Sequence, residues 1–446
     1  MDKNSNSKIQ FRLPNDLSED FKIACQSLGV KPSEKLRDLM CDFLDDFEND
    51  VLKRETYIFP NSFKKSKFNK FTIGEMYCGP GGIGLAAKKS KLIVKGNKYG
   101  FEHIWATDNH KDTCITFQSN IPSSKDKNFK VICENISDSL VDKLPYVDGF
   151  LYGFPCNDFS NVGESKGLNG KYGPLYSYGV KYINKNNPKF FFAENVSGLS
   201  NANSGRAFQK ILDELSNAGN FGYELTPHLY KFEEYGIPQA RHRYIIIGIR
   251  KDLKLKFNVP EPTHINAFKS CRQAILNPPI NNKCPNNELT KQSRNVIERL
   301  KHIKPGENAW KANLPDDLKL KVKGAKLSMI YKRLDPDKPA YTITGSGGGG
   351  THMYHWSENR ALTNRERARL QTFPDEFVFH GSKESVRRQI GMAVPVEGAR
   401  IILEAILKTF AKIEYASIES SFLTKKSNNV YKLNQSDDDE IIPEAG

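Results

Sequence analysis

Short apolar runs alternate with amphipathic segments between Phe71 and Arg250. Apolar strands that alternate with helices are typical of a doubly wound α/β fold with a mainly parallel sheet. Only a short turn region separates the last two runs, so we expect these two strands to pair antiparallel. Helices are predicted after Gly82, His110 and Gly205. The predicted strands are Phe71–Tyr77, His103–Thr107, Lys130–Cys133, Val147–Tyr152, Phe190–Ala193, Glu224–Lys231 and Tyr244–Ile249.

The alternation is lost after residue 250. Residues 251–340 are rich in Pro, Asn and Lys, which indicates a smaller, irregular second domain. On the N-terminal side, residues 57–70 are predicted to be a linker. The acidic end of the chain, within residues 413–446, is predicted to be a flexible, solvated tail.

Composition narrows the class of protein. A chain of 446 residues allows roughly three domains. It lacks the ~20 consecutive apolar residues of a membrane span, and its polar start is unlike a signal peptide. The eight cysteines form no CxxC pair, so we expect no disulfide framework, no metal and a cytoplasmic location. The net charge is +14, and residues 251–340 alone hold 19 basic and 9 acidic side chains, which favours a polyanionic partner.

A glycine loop follows the first predicted strand. Gly79, Gly81 and Gly84 match the spacing G-x-G-x-x-G, which permits a tight turn and close approach of a nucleotide cofactor. Asp108 ends the second strand, where a carboxylate can accept hydrogen bonds from both ribose hydroxyls. The loop by itself does not distinguish a dinucleotide from S-adenosylmethionine, or either from a plain turn.

Two reactive side chains follow later strands. Cys156 lies in GFPCNDFS, where open α/β sheets bind ligands, and the glycine-rich stretch 160–173 after it suits a mobile lid. Glu194 follows four apolar residues, so its pKa should be raised and the group should donate a proton. A buried structural cysteine and a strand-end ion pair are the plain alternatives.

Two arginines alternate in PQARHRYIIIG. Arg241 and Arg243 should project to one face of a strand, where they could hold an oxygen or stabilise a thiolate. A thiolate, a carboxylic acid, an oxygen-holding cation and an adenosyl pocket are the groups needed to methylate carbon 5 of a pyrimidine. A thiolate that adds at carbon 6 makes carbon 5 nucleophilic.

Taken together, these motifs resemble the DNA cytosine-5 methyltransferases of bacterial type II restriction–modification systems. The resemblance covers residues 71–405 and runs through the motifs in family order, ending with LTNRERARLQTFPDEF and QIGMAVPV. It implies that Cys156 is the nucleophile, that Glu194 contacts the cytosine ring, and that Arg241 and Arg243 assist.

The resemblance also implies a cofactor and further contacts. S-adenosyl-L-methionine would be bound by Tyr77, Gly79, Gly81, Gly82, Asp108, Asn109, Asn135, Ile136, Pro155 and Ala393. Ser160 and Gln239 would contact double-stranded DNA. Asn157, Asn135, Met392 and Val396 depart from the usual family residues, which leaves some cofactor contacts open.

A split catalytic domain follows from the order of the motifs. Residues 71–250 and 386–412 would form it, because the last motif must return to the glycine loop, and residues 251–385 would form the target-recognition domain. The target cytosine must leave the duplex to react. The glycine run within residues 342–356 either approaches the DNA or is a hinge. Methylation would protect host DNA from a cognate restriction endonuclease, a functional and not a physical partner.

Residues 1–56 lie outside this resemblance. An alternating strand followed by two helices resembles the ribbon-helix-helix DNA-binding fold, in which Lys8, Gln10 and Arg12 would read operator DNA as part of a homodimer. The alternative is an arm that only dimerises or packs. For the whole chain, the alternatives are an RNA cytosine-5 methyltransferase, a nucleotide-dependent oxidoreductase and a non-catalytic DNA-binding regulator. A zinc deaminase is excluded because residue 159 is Phe where PC-x-x-C needs Cys.

Overall fold

A computed structural model describes residues 68–94, 96–122, 129–154, 175–196, 206–321, 328–345, 347–348, 350–425 and 430–433, together with Cys25 and Pro32. The predicted arm with Lys8, Gln10 and Arg12 lies outside the described residues. The same is true of Pro155, Cys156, Ser160 and the rest of the predicted lid.

An eight-stranded mixed sheet forms the centre of the region before residue 251. Its strands are β1 (Phe68–Met76), β2 (Lys91–Val94), β3 (Asn97–Asp108), β4 (Lys130–Cys133), β5 (Gly149–Gly153), β6 (Phe190–Val196), β7 (Tyr223–Lys231) and β9 (His242–Arg250), while β8 (Gln239–Ala240) lies outside it. The helices between them are α1 (Gly82–Lys89), α2 (Lys111–Asn120), α3 (Asp138–Lys143), α4 (Leu175–Asn186) and α5 (Arg206–Ser216). The seven predicted strands and three predicted helices are confirmed.

The strand order is β2-β3-β1-β5-β6-β9-β7, with β4 also paired to β3. Strands β4, β3, β1, β5 and β6 run parallel to their neighbours in that group. The expected antiparallel pairing of β7 and β9 is confirmed, and β9 also runs antiparallel to β6. The carboxyl ends of β1, β3, β5 and β6 therefore meet at one edge, where ligands bind in open α/β sheets.

Both faces of this sheet are covered. The apolar residues of β6, Phe190 to Ala193, are at most 1% exposed, and so are Ile245–Ile247 of β9. A continuous apolar run is what a strand buried on both faces requires. The helix α10 (Val396–Phe410) packs against α1 on one side and contributes Ile402, Leu403 and Ile406 to the core.

Residues 251–363 contain only short elements among those described. They are β10 (Val259–Pro260), α6 (Cys271–Leu276), α7 (Arg294–Lys301) and β11 (Ala340–Tyr341). A small apolar cluster forms within this segment, from Val296, Leu300, Ile303, Ala309, Leu314, Tyr331, Tyr354 and Ala361. The expected irregular second region is confirmed, and the pairing of β11 with β8 joins it to the catalytic region.

The structure corrects the two predicted flanking segments. Strand β1 begins at Phe68, so residues 68–70 of the predicted linker pair with β3. Part of the predicted flexible tail forms strands: β12 (Ser417–Ile418) pairs with β10, and β13 (Phe422–Lys425) pairs with β14 (Val430–Leu433). Phe422 packs in the core and so holds this stretch against the sheet region, although the residues beyond it are acidic.

Two further helices, α8 (Asn364–Leu370) and α9 (Lys383–Met392), precede α10. Helix α9 runs across residue 386, where the second catalytic segment was predicted to start. None of the described helices is long and apolar enough to cross a membrane.

Candidate active site

The glycine loop begins at the end of β1, where the backbone enters the left-handed region. Tyr77, Gly79 and Gly81 have φ of 57°, 55° and 101°. Among the described residues, no atom lies within 4 Å of the position that a Cβ at Gly79 would occupy, so this part of the loop is open. The Tyr77 hydroxyl donates to the carbonyl of Leu175 at 2.8 Å and so anchors the start of α4. An open glycine at a strand end is what close approach of a ligand requires.

Asp108 at the end of β3 is bonded to this loop. Its carboxylate accepts the backbone N–H of Gly79 at 3.1 Å and that of His110 at 3.0 Å. Burial raises the pKa of Asp108, while the two backbone donors oppose that shift. A carboxylate offers about four acceptor positions, so two remain for the hydroxyls of a ribose.

The neighbouring strand end carries the other predicted cofactor residues. The side-chain amide of Asn109 donates to Asn135 Oδ1 at 2.9 Å, and both side chains belong to an exposed pair. Ile136 is half-buried against the core. These features fit an adenosyl group: open backbone at Gly79, spare acceptors on Asp108 and a polar pair beside them. None of them needs a cofactor that carries a phosphate.

The last motif returns to the glycine loop, as predicted. A Cβ at Gly82 would lie 2.4 Å from the carbonyl oxygen of Val394 and 3.4 Å from the Cβ of Ala393. The absence of a side chain at Gly82 therefore allows the two segments to touch. Gly84 has a packing role instead, because a Cβ there would meet the ring of Phe117 at 2.8 Å.

Glu194 on β6 forms the charged centre of the site. Its carboxylate lies 3.1 Å from Nε of Arg243, and both side chains are about nine-tenths buried. Burial raises the pKa of Glu194, and the charges of Arg243 and Arg241 act in the opposite direction. The raised pKa expected from the sequence is confirmed.

Strand β5 brings this carboxylate close to the chain that leads into Cys156. Gly153 is the register partner of Glu194, and a Cβ at Gly153 would lie 3.2 Å from Glu194 Oε2. Asn195, which is 3% exposed, donates its side-chain amide to the carbonyl of Phe154 at 3.1 Å. The sequence analysis did not single out Asn195. Its position directly after Glu194, at the end of the same strand, could have marked it as part of the site.

Arg241 and Arg243 have different partners although both act on Glu194. Arg241 donates to the carbonyls of Ile343 at 3.0 Å and Gly391 at 3.1 Å, so it joins three distant parts of the chain. Arg243 bonds the carboxylate itself and the carbonyl of His242 at 2.6 Å.

Gln239 corrects a predicted DNA contact. The side chain is 0% exposed, its amide donates to Gln371 Oε1 at 3.0 Å, and its oxygen accepts the N–H of Ile343 at 2.8 Å. Both ends of the side chain are bonded inside the protein in this structure, so Gln239 braces the segment. Gln371 continues the brace by donating to the carbonyls of Ile390 and Ala393.

Comparisons with known proteins agree with this arrangement. The C-5 cytosine-specific DNA methylase family matches residues 71–408. The type II methyltransferase M.BbvI of Brevibacillus brevis is 55% identical over 359 residues, which are 79% of this chain and 95% of the relative. M.NgoFVII of Neisseria gonorrhoeae, also a type II methyltransferase, is 39% identical over 78% of this chain and 89% of its own.

A solved structure supports the fold. It belongs to a prophage-encoded E. coli protein described as a DNA modification methyltransferase, with a TM-score of 0.58 and 21% identity, over 76% of this chain and 99% of that one. The family uses S-adenosylmethionine as its methyl donor and DNA as its substrate. The family match and the identities show that this chain belongs to the C-5 cytosine-specific DNA methylases, as a type II DNA (cytosine-5-)-methyltransferase.

Proposed function

We propose that this enzyme methylates a flipped-out cytosine in double-stranded DNA through a covalent adduct with Cys156. The observation that carries the proposal is the buried Glu194–Arg243 pair, whose carboxylate lies beside Gly153, three residues before Cys156. A neutral carboxylic acid with a raised pKa is suited to donate a hydrogen bond to ring nitrogen 3 of the base.

Each group has one task in this mechanism. The Cys156 thiolate adds to carbon 6, while Glu194 holds or transfers the proton at nitrogen 3. Carbon 5 becomes nucleophilic and receives the methyl group, while the S–CH3 bond of the sulfonium breaks and leaves a neutral thioether. A water molecule then takes the proton from carbon 5, which expels the thiolate and restores the ring. Arg243 orients Glu194, and Asn195 holds the backbone that precedes the nucleophile.

When bound, S-adenosylmethionine supplies an electrophilic methyl group. We assign its adenosyl part to Asp108, Asn109, Asn135 and Ile136, and its approach to the open backbone at Gly79. Gly82 and Ala393 shape this pocket where the loop and the last motif touch. Tyr77 anchors the start of α4, and Gly81 turns the loop. Pro155 directly precedes the proposed nucleophile in the sequence.

Residues 251–385 are proposed to recognise the DNA sequence, and residues 71–250 with 386–412 to catalyse the reaction. The basic excess of residues 251–340 suits phosphate contacts, which supply affinity with little sequence information. Ser160 and the glycine-rich stretch after it would close over the flipped base. Protection of host DNA from a cognate endonuclease is the role that this activity would serve.

The test is bisulfite sequencing of DNA from cells that express the enzyme or Cys156→Ser. The wild type should leave one sequence context protected from conversion, and Cys156→Ser should leave none while it still binds DNA. Cys284→Ser is the matched control, because its thiol donates only to the carbonyl of Asp375, which a hydroxyl can replace. Protection by Cys156→Ser at the wild-type level would refute the covalent mechanism.

The N-terminal arm carries a second proposal. Residues 1–70 fall outside the family match, while M.BbvI is covered over 95% of its length by 79% of this chain, so the arm is an addition to the common enzyme. We propose that it binds an operator as a homodimer and regulates its own system. Deletion of residues 1–55 should abolish a gel shift with the upstream DNA and leave methylation intact. Loss of methylation, or no shift with the wild type, would refute this role.

A further inference from the structure

One hydrogen bond joins the glycine loop to α4, the helix that follows Cys156 in the sequence. The Tyr77 hydroxyl donates to the carbonyl of Leu175, the first residue of α4, at 2.8 Å, and the two residues are 98 positions apart. Tyr77 has a left-handed backbone conformation, with φ of 57°. This conformation is uncommon and costly for a residue other than glycine, so the surrounding structure must stabilise it. The bond to Leu175 fixes the direction in which this side chain points.

The loop side of this bond is held by the proposed ribose acceptor. The N–H of Gly79 donates to Asp108 Oδ2 at 3.1 Å, and the N–H of Cys78 donates to the carbonyl of Thr107 at 3.0 Å. The backbone directly after Tyr77 is therefore attached to the end of β3, next to the carboxylate. A contiguous network of hydrogen bonds and constrained backbone can carry coupling between two sites.

The helix side of the bond lies where the chain returns to the sheet edge. Residues 155–174 connect β5 to α4, and the residues on either side of them pack together: the ring centroids of Phe154 and Tyr176 are 6.3 Å apart. Both rings are at most 4% exposed. Asn195 on β6 bonds the carbonyl of Phe154, so one flank is held from β6 and the other, at Leu175, from the glycine loop.

The surroundings of the Tyr77 hydroxyl keep it a hydrogen-bond donor. Burial, and to a smaller extent Tyr178, raises the pKa of Tyr77, so the phenol stays protonated at neutral pH. The ring packs against the apolar cluster that includes Tyr152 and Phe154. A hydrogen bond in such surroundings is stronger than one exposed to water. Tyr77→Phe would remove this bond and leave the packing of the ring in place.

We propose that the Tyr77 hydroxyl is a positioning group that couples cofactor binding at the glycine loop to the placement of α4 and of the stretch that leads into it. A bound cofactor fixes the loop, the loop fixes Tyr77, and Tyr77 fixes the start of α4. Cofactor and DNA should therefore bind more tightly together than separately. The proposal rests on the proposed function in one respect, namely that Cys156 in this stretch reaches the target base.

The first test is a binding cycle that needs no chemistry. Fluorescence anisotropy measures the Kd of the full-length enzyme for duplex DNA that carries the site found by bisulfite sequencing, with and without saturating S-adenosylhomocysteine. This ligand should tighten DNA binding by the wild type about tenfold, within the usual range for coupled sites. In Tyr77→Phe the factor should fall to about twofold, since one hydrogen bond is worth about fivefold in affinity. The Kd of the variant for S-adenosylhomocysteine without DNA should hardly change, because Asp108 and Gly79 remain.

Tyr182→Phe is the matched control. Tyr182 lies on the same helix, and its hydroxyl donates to the carbonyl of Pro145 at 2.7 Å, so this variant loses a bond of the same kind away from the glycine loop. It should keep the wild-type coupling factor. Melting temperatures of both variants measure the loss of stability, so a difference in the coupling factor between them reports the link to the loop.

Steady-state methylation gives the second readout. Tyr77→Phe should lower kcat about fivefold, because the placement of the stretch before α4 is lost while the cofactor contacts remain. The KM for S-adenosylmethionine should stay near the wild-type value. A raised KM with an unchanged kcat would make Tyr77 a simple cofactor contact and would overturn the proposal.

Two further results would also overturn it: equal coupling factors in the wild type and Tyr77→Phe, or no tightening of DNA binding by S-adenosylhomocysteine in the wild type. Failure of the proposed function is a separate result. If Cys156→Ser methylates DNA at the wild-type level, the covalent mechanism is wrong, whereas the binding cycle still measures the role of Tyr77.

Discussion

The central sheet and the segment from residue 251 to 391 satisfy their buried backbone groups in different ways. In the sheet, the strands satisfy each other's backbone groups by pairing. Strand β6, for example, is hydrogen-bonded to β5 on one side and to β9 on the other. In the segment, guanidinium groups take that role. Arg333 donates to the carbonyls of Leu300, His355 and Glu358, and Arg365 donates to those of Pro285, Pro374 and Phe377.

This difference shows how an irregular chain can be held rigid without strands. A buried carbonyl without a donor costs free energy, and short elements leave many of them. Arginine offers five donors in a planar fork, so one side chain replaces several ladder hydrogen bonds. At the sheet edge, in contrast, Arg243 forms an ion pair with the carboxylate of Glu194.

The largest effect is expected from a change in the Glu194–Arg243 pair at the sheet edge. Glu194→Gln keeps the shape and the hydrogen bond to Arg243 but removes the acid, so kcat for methyl transfer should fall by about 10²–10⁴. Because burial raises the pKa of Glu194, the wild-type rate should fall as the pH rises through that pKa, and the variant should lack this limb. Methyl incorporation into duplex DNA at several pH values measures both. An unchanged kcat would remove Glu194 from the mechanism.

The corresponding change in the irregular segment should affect stability. Arg365→Met leaves three carbonyls without their donor, one buried and two part-buried, and we expect a loss of about 3–5 kcal/mol in the free energy of unfolding. Arg365→Lys should recover little, since an ammonium cannot reach all three. Urea denaturation measures the loss. Arg272→Met, at a half-exposed arginine paired with exposed Asp337, is the control and should stay within about 0.5 kcal/mol.

The next prediction concerns the pH dependence of stability at a buried histidine on β7. His228 on β7 accepts the N–H of Ser421 at 3.0 Å, and burial lowers its pKa to about 4. As the pH falls from 6.5 to 4, His228 is protonated in the unfolded chain but stays neutral in the folded one. The free energy of unfolding should therefore fall by on the order of 2–3 kcal/mol and then level off. His228→Asn keeps an acceptor and should flatten this decline. An identical pH profile for the variant would assign the decline to other groups.

The smallest effect is expected at the amino end of the strands, opposite the active edge. The Thr72 hydroxyl donates to Asp148 Oδ2 at 3.0 Å and accepts the N–H of Asp148 at 3.0 Å. Thr72→Val should cost about 1–2 kcal/mol in unfolding free energy, because one buried N–H loses its acceptor. The rate of methyl transfer should not change; a large loss of activity would mean that this end of the sheet communicates with the site.

Much of the sheet could be predicted because its strands are continuous apolar runs between glycine and polar turns. The run Phe190–Ala193 indicates a strand whatever surrounds it, and Glu194 directly after it indicates a charged group at the strand end. The boundaries were less accurate: residues 68–70 extend β1, and the tail forms β12 to β14. Both follow from pairing with distant partners, which local patterns do not contain.

The irregular segment was predictable only in outline. Its basic charge and lack of periodicity are properties of composition, and they indicate a polyanion-binding region without regular elements. The arginines of this segment bond partners up to 95 residues away, as with Arg369 and Ala274, so no local pattern reveals them. For the same reason Gln239, in the same motif as Arg241 and Arg243, was predicted to contact DNA, although its side-chain amide group bonds Gln371 and Ile343 inside the protein.

The sequence by itself determined the strand runs and the family, and it supplied the candidates for the reactive groups, because each depends on a short contiguous stretch of residues. Tertiary structure alone decided which of those groups share a site. The parallel register sets Gly153 beside Glu194, and the return of the last motif sets Ala393 against Gly82. It also sets Arg243 beside Glu194, since charge pairing inside a protein depends on distance through space and not on separation along the chain.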